Sequence, residues 1–587
     1  MGASVVPGGV FFRVWAPAAK QVELVVQQPA VELPMDREAD GTWALRLEGG
    51  QAGTRYKYRI DSGGEYPDPY SRYQPEGVHG RSEVVDPQRF AWHDADWPGL
   101  DPNELVIYEC HTGTFTPEGT FEAAIQKLPY LRDLGVTALE LMPVAEFSGR
   151  RNWGYDGVDW FAPSRSYGGP AGLQRLIDTA HQHGVGVLLD VVYNHFGPEG
   201  NYLRQFSPDY FTDRYETPWG AAINYDGPGS EWARKLAIDN ACYWLREYHV
   251  DGLRLDATFA IFDTSAKDVL RELAEAIRSQ SAKAILIAET HENDVRYLRG
   301  FAQGGYGFDA VWADDFHHTL RRRLAGDRDG YYADYAGTTA EIARTLNQGF
   351  LYEGQRSSHL GRGRGTPARD CPARQFVYCV QNHDQVGNRA FGDRLNHDIP
   401  PDLYRLASAV LLLAPYTPLL FMGQEFAASS PFQYFTDHSP DLGKLVTEGR
   451  RREFQSFAFL ADIPDPQAEQ TFVASKLRWE EAEDSRIRRL YRECLRLRSE
   501  DKVLRLHDRF RMSATAVGED VLSVSYDGGA DRRLLVANFG ELVTVPGAGL
   551  SEVLLDTSDV HFGGSGTTAQ LRAGGLVVPA RSAVLLG

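Results

Sequence analysis

Sulfur is scarce in this chain, with five cysteines and five methionines in 587 residues. Cys110, Cys242, Cys371, Cys379 and Cys494 are odd in number, widely scattered, and form no CxxC pair. That pattern argues against both a disulfide framework and a zinc site. A long apolar run is lacking too. The longest, Ala407 to Met422, is broken by Pro415 and Pro418 and is too short to span a bilayer. The opening MGASVVPGGV has neither the basic nor the apolar segment of a signal peptide. Val6 stands where a myristoylation pattern needs Ser or Thr. Positive charge is in deficit, with 61 Lys and Arg against 80 Asp and Glu and a net charge of −19. Phosphate backbones and anionic headgroups repel such a surface, so neither nucleic acid nor a membrane is the expected partner. A soluble, cytoplasmic protein acting on an uncharged partner such as a sugar is expected. Repeats and low-complexity tracts are absent as well.

What is present is ordinary globular material, 43% apolar and 24% charged, in a chain too long for one core. Up to about residue 90, short runs alternate apolar and polar residues, as in Val10 to Trp15, Val22 to Val26, Trp43 to Leu47 and Arg55 to Ile60. This predicts an antiparallel sandwich. The Pro-rich Tyr66 to Pro75 reads as a linker. From about Glu104, eight continuous apolar runs alternate with helical stretches. The runs are Leu105–Cys110, Ala138–Val144, Val185–Val192, Gly252–Ala257, Ala284–Glu289, Ala310–Phe316, Phe376–Asp384 and Pro418–Glu425. Among the helices are Phe121–Leu134, Leu173–His183, Ser230–Tyr248 and Ala266–Ser279. Short strands return after about 503. The expected fold class is α/β: a (β/α)8 TIM barrel over 93–502, with an inserted loop subdomain at about 193–229. An N-terminal β-sandwich over 1–92 and a C-terminal all-β domain over 503–587 flank it. A doubly wound sheet is the alternative on pattern alone. The Gly- and Arg-rich 348–374 reads as a long surface loop.

Barrel enzymes carry their chemistry at the C-terminal ends of the strands. Here DVVYNH ends the third run with Asp190, Asn194 and His195. GLRLDA ends the fourth with Arg254 and Asp256, which share a strand face because they are two apart. Glu289 ends the fifth, and QNHD brings His383 and Asp384 to the seventh. One such carboxylate is usually a cap or an ion pair. Several at neighbouring strand ends concentrate buried charge that stability does not favour. Glycoside hydrolysis with retention uses such a set: an ionised nucleophile and a protonated carboxyl roughly 5 to 5.5 Å apart. Arg254 would hold Asp256 ionised, and burial near other carboxylates would raise the proton affinity of Glu289. Asp384 would hold sugar hydroxyls, and His195 and His383 would donate hydrogen bonds to developing charge.

DVVYNH, GLRLDA, the Glu-ended fifth run and QNHD resemble, in order, the four signature regions of the α-amylase family, glycoside hydrolase family 13. The resemblance implies Asp256 as nucleophile, Glu289 as acid and base, and Asp384 as transition-state stabiliser. The leading sandwich looks like the N-terminal module of branching and debranching relatives. Within that family, the stretches 66–80, 108–121, 152–170, 311–321 and 381–389 resemble the malto-oligosyltrehalose trehalohydrolases. That implies hydrolysis of the α-1,4 bond joining a maltooligosaccharide to a terminal trehalose unit, with no cofactor. A glycogen branching enzyme or another α-glucan transglycosylase is the alternative. Substrate contacts are implied over Arg254 to Phe259, at Asp314, Asp315, His317 and His318, and at His383, Gln385 and Asn388, with Tyr155 stacking on the ring being cleaved. Plain α-amylases usually carry Lys-His three and four residues after the nucleophile. This chain has Phe259 and Ala260.

Other candidates have bland readings beside them. Trp153 is as easily packing as a sugar platform. His317 and His318 are read as strand neighbours on opposite faces, which argues against a shared metal. His181 and His183 read as surface residues. Asn194 stands where calcium-dependent amylases place a ligand, but Asp209, Asp213 and Asp226 are too widely spaced for a calcium loop, so no metal is expected. Glu425 reads equally as cleft lining or structure. Arg362 and Arg364 read as a solvated loop.

Overall fold

The computed structural model describes residues 1–454, 463–546 and 549–587. Eight parallel strands close into a barrel: Ile107–Cys110, Ala138–Leu141, Gly186–Val191, Gly252–Leu255, Ile285–Ala288, Ala310–Trp312, Phe376–Cys379 and Thr417–Phe421. The last pairs with the first, Ile107 facing Leu419. Each strand is buried along its whole length, which explains the unbroken apolar runs.

Side-chain alternation fills the barrel in layers. Ile107, Ala138, Leu188, Ile285, Ala310, Val377 and Leu419 form one apolar cluster inside it. Two residues further along their strands, the inward positions become Glu109, Glu140 and Asp190, and Arg254 lies beside Asp190 in register. The interior therefore changes from hydrocarbon to ionisable groups within one residue pair.

The strands end earlier than the apolar runs, because the residues beyond the last ladder bond turn to build the site. The sixth stops at Trp312, and His317 and His318 lie on the helix Asp314–Leu324, so the strand assignment of this pair is corrected. Asp314 and Asp315 favour the first turn of that helix and Arg321 to Arg323 its last, as the helix dipole prefers. The single helix expected over 121–134 is two, Phe121–Ile125 and Leu128–Leu134, since Pro129 lacks an N–H and crowds the preceding turn.

Before the barrel, two antiparallel sheets pack as a sandwich, with Gly9–Trp15 and Thr42–Glu48 central in one and Val22–Val26 and Arg55–Ile60 central in the other. Its aromatics face the barrel. Trp15 stacks on Trp232 at 4.9 Å and meets Tyr210 edge-on, and Tyr58 and Tyr66 both meet Phe206. The sandwich thus braces the segment after the third strand, whose hairpin Phe211–Thr217 and Gly220–Ile223 carries Trp219 at its turn. After the barrel, a five-stranded and a three-stranded antiparallel sheet close the chain.

At the N-terminal end of the barrel, His181 is buried, correcting its surface reading. Its ring nitrogens lie 3.0 Å from Asp94 and 2.9 Å from Asp251. His249 also reaches Asp94, and Trp97 donates to Asp251. This knot ties the segment leaving the sandwich to the barrel floor. Among the described residues no helix is long and apolar enough to cross a membrane.

Candidate active site

The fourth strand delivers Arg254 into the barrel axis with its guanidinium fully buried. Its Nη1 donates to Asp190 Oδ2 at 2.7 Å and to Asp256 Oδ1 at 2.9 Å. Its Nη2 lies 2.8 Å from Glu289 Oε2, and its plane sits 4.0 Å over the Trp312 ring. One cation thus joins carboxylates from three strand ends. Asp256 also accepts from Asn194 Nδ2 at 3.0 Å.

Immediately after Asp256 the backbone turns sharply. Ala257 takes φ +38°, a left-handed conformation that costs an L-residue of order 1 kcal/mol or more. The turn aims its N–H at Glu289 Oε2, 2.7 Å away, and Thr258 donates to the Glu289 carbonyl from both its amide and its hydroxyl. Asp256 and Glu289 are therefore clamped by adjoining backbone. Burial pushes the proton affinity of Glu289 above the ordinary carboxylate range; Arg254 opposes the shift and Asp256 adds to it.

On the other side, Tyr155 links two groups. Its hydroxyl donates to Asp190 Oδ2 at 2.6 Å and lies 2.8 Å from His383 Nε2, the two rings stacked at 5.1 Å. Burial raises Asp190 to about 7 against the pull of Arg254. Asp384 lies 3.5 Å from His383 Nε2 and accepts from Asn388 at 3.2 Å. Its side chain is 35% exposed, open to the cleft. Burial and the neighbouring Glu289 nonetheless raise it, with His383 opposing.

A cavity of about 210 Å³ opens beside Glu289 and Asp384. Of the residues singled out from sequence, Glu289, Phe259, Asp314, His318, Asp384, Gln385 and Asn388 line it. Asp314 is raised to about 7 by burial and by Glu289. Phe259 packs edge-on against His291 at 4.0 Å. His195 borders the hairpin instead, stacked at 4.7 Å on Trp219, which is 43% exposed. Three candidates are directed elsewhere. Trp153 stacks on Phe432 and donates to the Gln433 carbonyl, forming the wall behind His383. Asp315 is fully buried, accepting from Asn293, Tyr335 and the Leu351 and Tyr352 amides. His317 is buried against His318, their Nδ1 atoms 2.9 Å apart.

Arg364 is not solvated. It pairs with Asp315 at 3.1 Å and donates to Tyr335 and the His291 carbonyl, so 348–365 is anchored over the cleft. Glu425 accepts from Tyr108 and Tyr130 in a structural role. Sequence reasoning missed Trp219, His291, Tyr331, Glu109 and Glu140. The last two were signalled by lone carboxylates inside apolar strands. Among the described residues no cluster of three or more His, Cys, Asp or Glu side chains is placed to hold a metal ion.

Residues 66–218 match the α-amylase catalytic domain, and residues 1–75 match carbohydrate-binding module 48, the isoamylase N-terminal domain. The chain is 47% identical over 556 residues to the malto-oligosyltrehalose trehalohydrolase of Deinococcus radiodurans, covering 92% of this chain and 90% of that protein. The chain belongs to the malto-oligosyltrehalose trehalohydrolase family. The trehalohydrolase of Saccharolobus solfataricus is 44% identical, with 84% and 85% covered. A putative α-amylase from Salmonella typhimurium superposes with a TM-score of 0.91 at 38% identity, covering 100% of this chain and 98% of that one. A glucan branching enzyme from Pseudoalteromonas atlantica is more distant, at 27% identity over 72% of this chain. A trehalohydrolase-family chain with an α-amylase barrel is a glycoside hydrolase.

Proposed function

We propose that the protein hydrolyses the α-1,4-glucosidic bond next to the terminal trehalose unit of maltooligosyltrehalose, releasing trehalose with retention. The observation that carries this reading is the Arg254 bridge, which holds Asp256 and Glu289 side by side while burial favours a proton on Glu289. Asp256 attacks the anomeric carbon as the glycosidic bond breaks, and Glu289 gives its proton to the departing oxygen. A glycosyl ester on Asp256 results. Glu289, now a carboxylate, takes a proton from water, whose oxygen displaces Asp256 and restores the starting state. Asp384, His383 and Tyr155 bind the distorted ring and the charge that develops on it. Gln385, Asn388, His318 and Phe259 line the rest of the path for the glucan, in a chain divided at about 1–92, 93–502 and 503–587. The place of such a reaction is trehalose biosynthesis from α-glucan.

The sugar follows from the relatives' names and the chemistry from the site, so one experiment addresses both. Maltopentaose and its trehalose-ended counterpart are incubated separately and the products chromatographed. Trehalose from the second, with slow or no cleavage of the first, is expected. New α-1,6 branches would replace this reading with a transferase, and two unchanged sugars would remove the enzymatic assignment.

A further inference from the structure

Beneath the cleft, the first barrel strand points Glu109 inward with 1% of it exposed. Its carboxylate meets His383 twice. Oε2 accepts the His383 backbone N–H at 3.0 Å, and Oε1 accepts from the ring Nδ1 in a short hydrogen bond. The imidazole is otherwise walled by the rings of Trp153 at 6.0 Å and Trp312 at 5.9 Å, with Tyr155 stacked on it. Only Nε2 remains, and it faces Tyr155 at 2.8 Å and Asp384 at 3.5 Å.

We propose that Glu109 is a positioning residue for the reaction, gripping His383 through backbone and ring together so that the far ring nitrogen is held as a hydrogen-bond donor toward Tyr155 and Asp384. It rests on the assignment of the cleft as the reaction site. A doubly held imidazole with a carboxylate at its back keeps both protons. Burial works against that charge, but Glu109 and then Asp384 outweigh it and lift His383 to about 9. The other groups facing the ring do not reverse this. Arg254 opposes it. Glu140, in register with Glu109, has no partner for either oxygen among the described residues, and burial pushes it well above the carboxylate range, so it adds less negative charge than a free carboxylate. Glu289 and Asp190 are raised by burial and hold less charge than free carboxylates. His111 is pushed down to about 3 by burial and stays neutral. The chain Glu109–His383–Tyr155–Asp190–Arg254 then runs from the barrel interior to the nucleophile, and Glu109 is its terminal anion.

The test is a histidine NMR titration of the full chain labelled with 13C-histidine, with His383→Asn identifying the signal. In the natural protein the His383 ring is expected to keep its charge until about pH 9. In Glu109→Gln, which retains an acceptor but no charge, the midpoint is expected to fall by about one to three pH units. Glu109→Asp, which keeps the charge, should lie between the two. At pH 8, kcat of the Gln variant is expected to fall roughly tenfold or more, with more recovered on acidification than the wild type gains. A His383 midpoint unmoved by Glu109→Gln overturns the proposal. Should that variant not fold, a natural-protein midpoint at or below the ordinary histidine value of about 6.5 overturns it equally. Neither reading depends on turnover, so a wrong substrate would leave this test intact.

Discussion

At the floor of the barrel, His181 gives both ring nitrogens to carboxylates, and Asp251 in turn accepts from Trp97 and the Val187 amide. At its mouth, Glu140, Asp190 and Arg254 are as deeply buried, yet Asp190 Oδ1, Arg254 Nε and both oxygens of Glu140 have no hydrogen-bond partner among the described residues. Both clusters place charge where water is excluded, and only one is completed. A completed cluster rigidifies what it joins, here the segment leaving the sandwich and three helix and strand ends. An incomplete one costs stability, because an unpaired buried polar group loses its hydration without replacement. The cavity lined by Glu289 and Asp384 opens on this side of the barrel, so the incomplete cluster underlies the half of the molecule that carries the candidate site.

That contrast can be broken at several points. The largest effect is expected from Asp256→Asn, which should lower kcat by roughly a thousandfold or more while leaving the melting temperature near that of the natural protein. A variant retaining a tenth of wild-type turnover would sink the nucleophile assignment. Glu289→Gln should lose about 10² to 10⁴ in kcat, with the loss shrinking on an aryl glycoside whose leaving group needs no proton. Equal losses on both substrates would remove its role as acid.

Arg254→Met tests what the mouth costs. It strands Asp190, Asp256 and Glu289 without their shared cation, so a destabilisation of about 3 to 5 kcal/mol is expected by denaturant titration. At the floor, His181→Ala should cost stability but leave kcat unchanged, because nothing there touches the cleft. Its pH dependence has a definite sign. Burial lowers the His181 pKa, but hydrogen bonds and charge from Asp251 and Asp94 outweigh it, so the folded value lies above the ordinary one. The stabilisation is therefore full below about pH 6.5 and fades as pH rises through the folded value. The stability gap between wild type and His181→Ala should be wider at pH 6 than at pH 9, and a gap that widens with pH would contradict the ion-pair account. The smallest effect belongs to Phe259→Ala, which removes one ring contact worth about 0.5 to 1.5 kcal/mol and should raise KM a few-fold with kcat little changed.

The mouth was far more legible in the sequence than the floor. Strand-end carboxylates stand out against continuous Val, Ile and Leu, and the i, i+2 spacing alone puts Arg254 and Asp256 on one face. Helix Ser230–Tyr248 and strands Val22–Val26 and Arg55–Ile60 follow the expected bounds, because their apolar periodicity is long and uninterrupted. The floor was missed since His181, Asp94 and Asp251 are far apart in the chain and only the closed barrel brings them together. The same limit hid Arg364, whose partner Asp315 belongs to another element. The His317–His318 pair was misplaced for a different reason: the apolar run and the helix behind it join without a Gly or Pro to mark the turn.

The left-handed turn at Ala257 bears on how such a site can diversify. The amides of residues 257 and 258, with the Thr258 hydroxyl, fasten the fourth strand end to Glu289. None of these bonds involves the side chain at 259, so its identity can change without removing them. A substitution at Phe259, which lines the cavity, is therefore expected to act on what the cleft accepts and not on the fastening of Glu289.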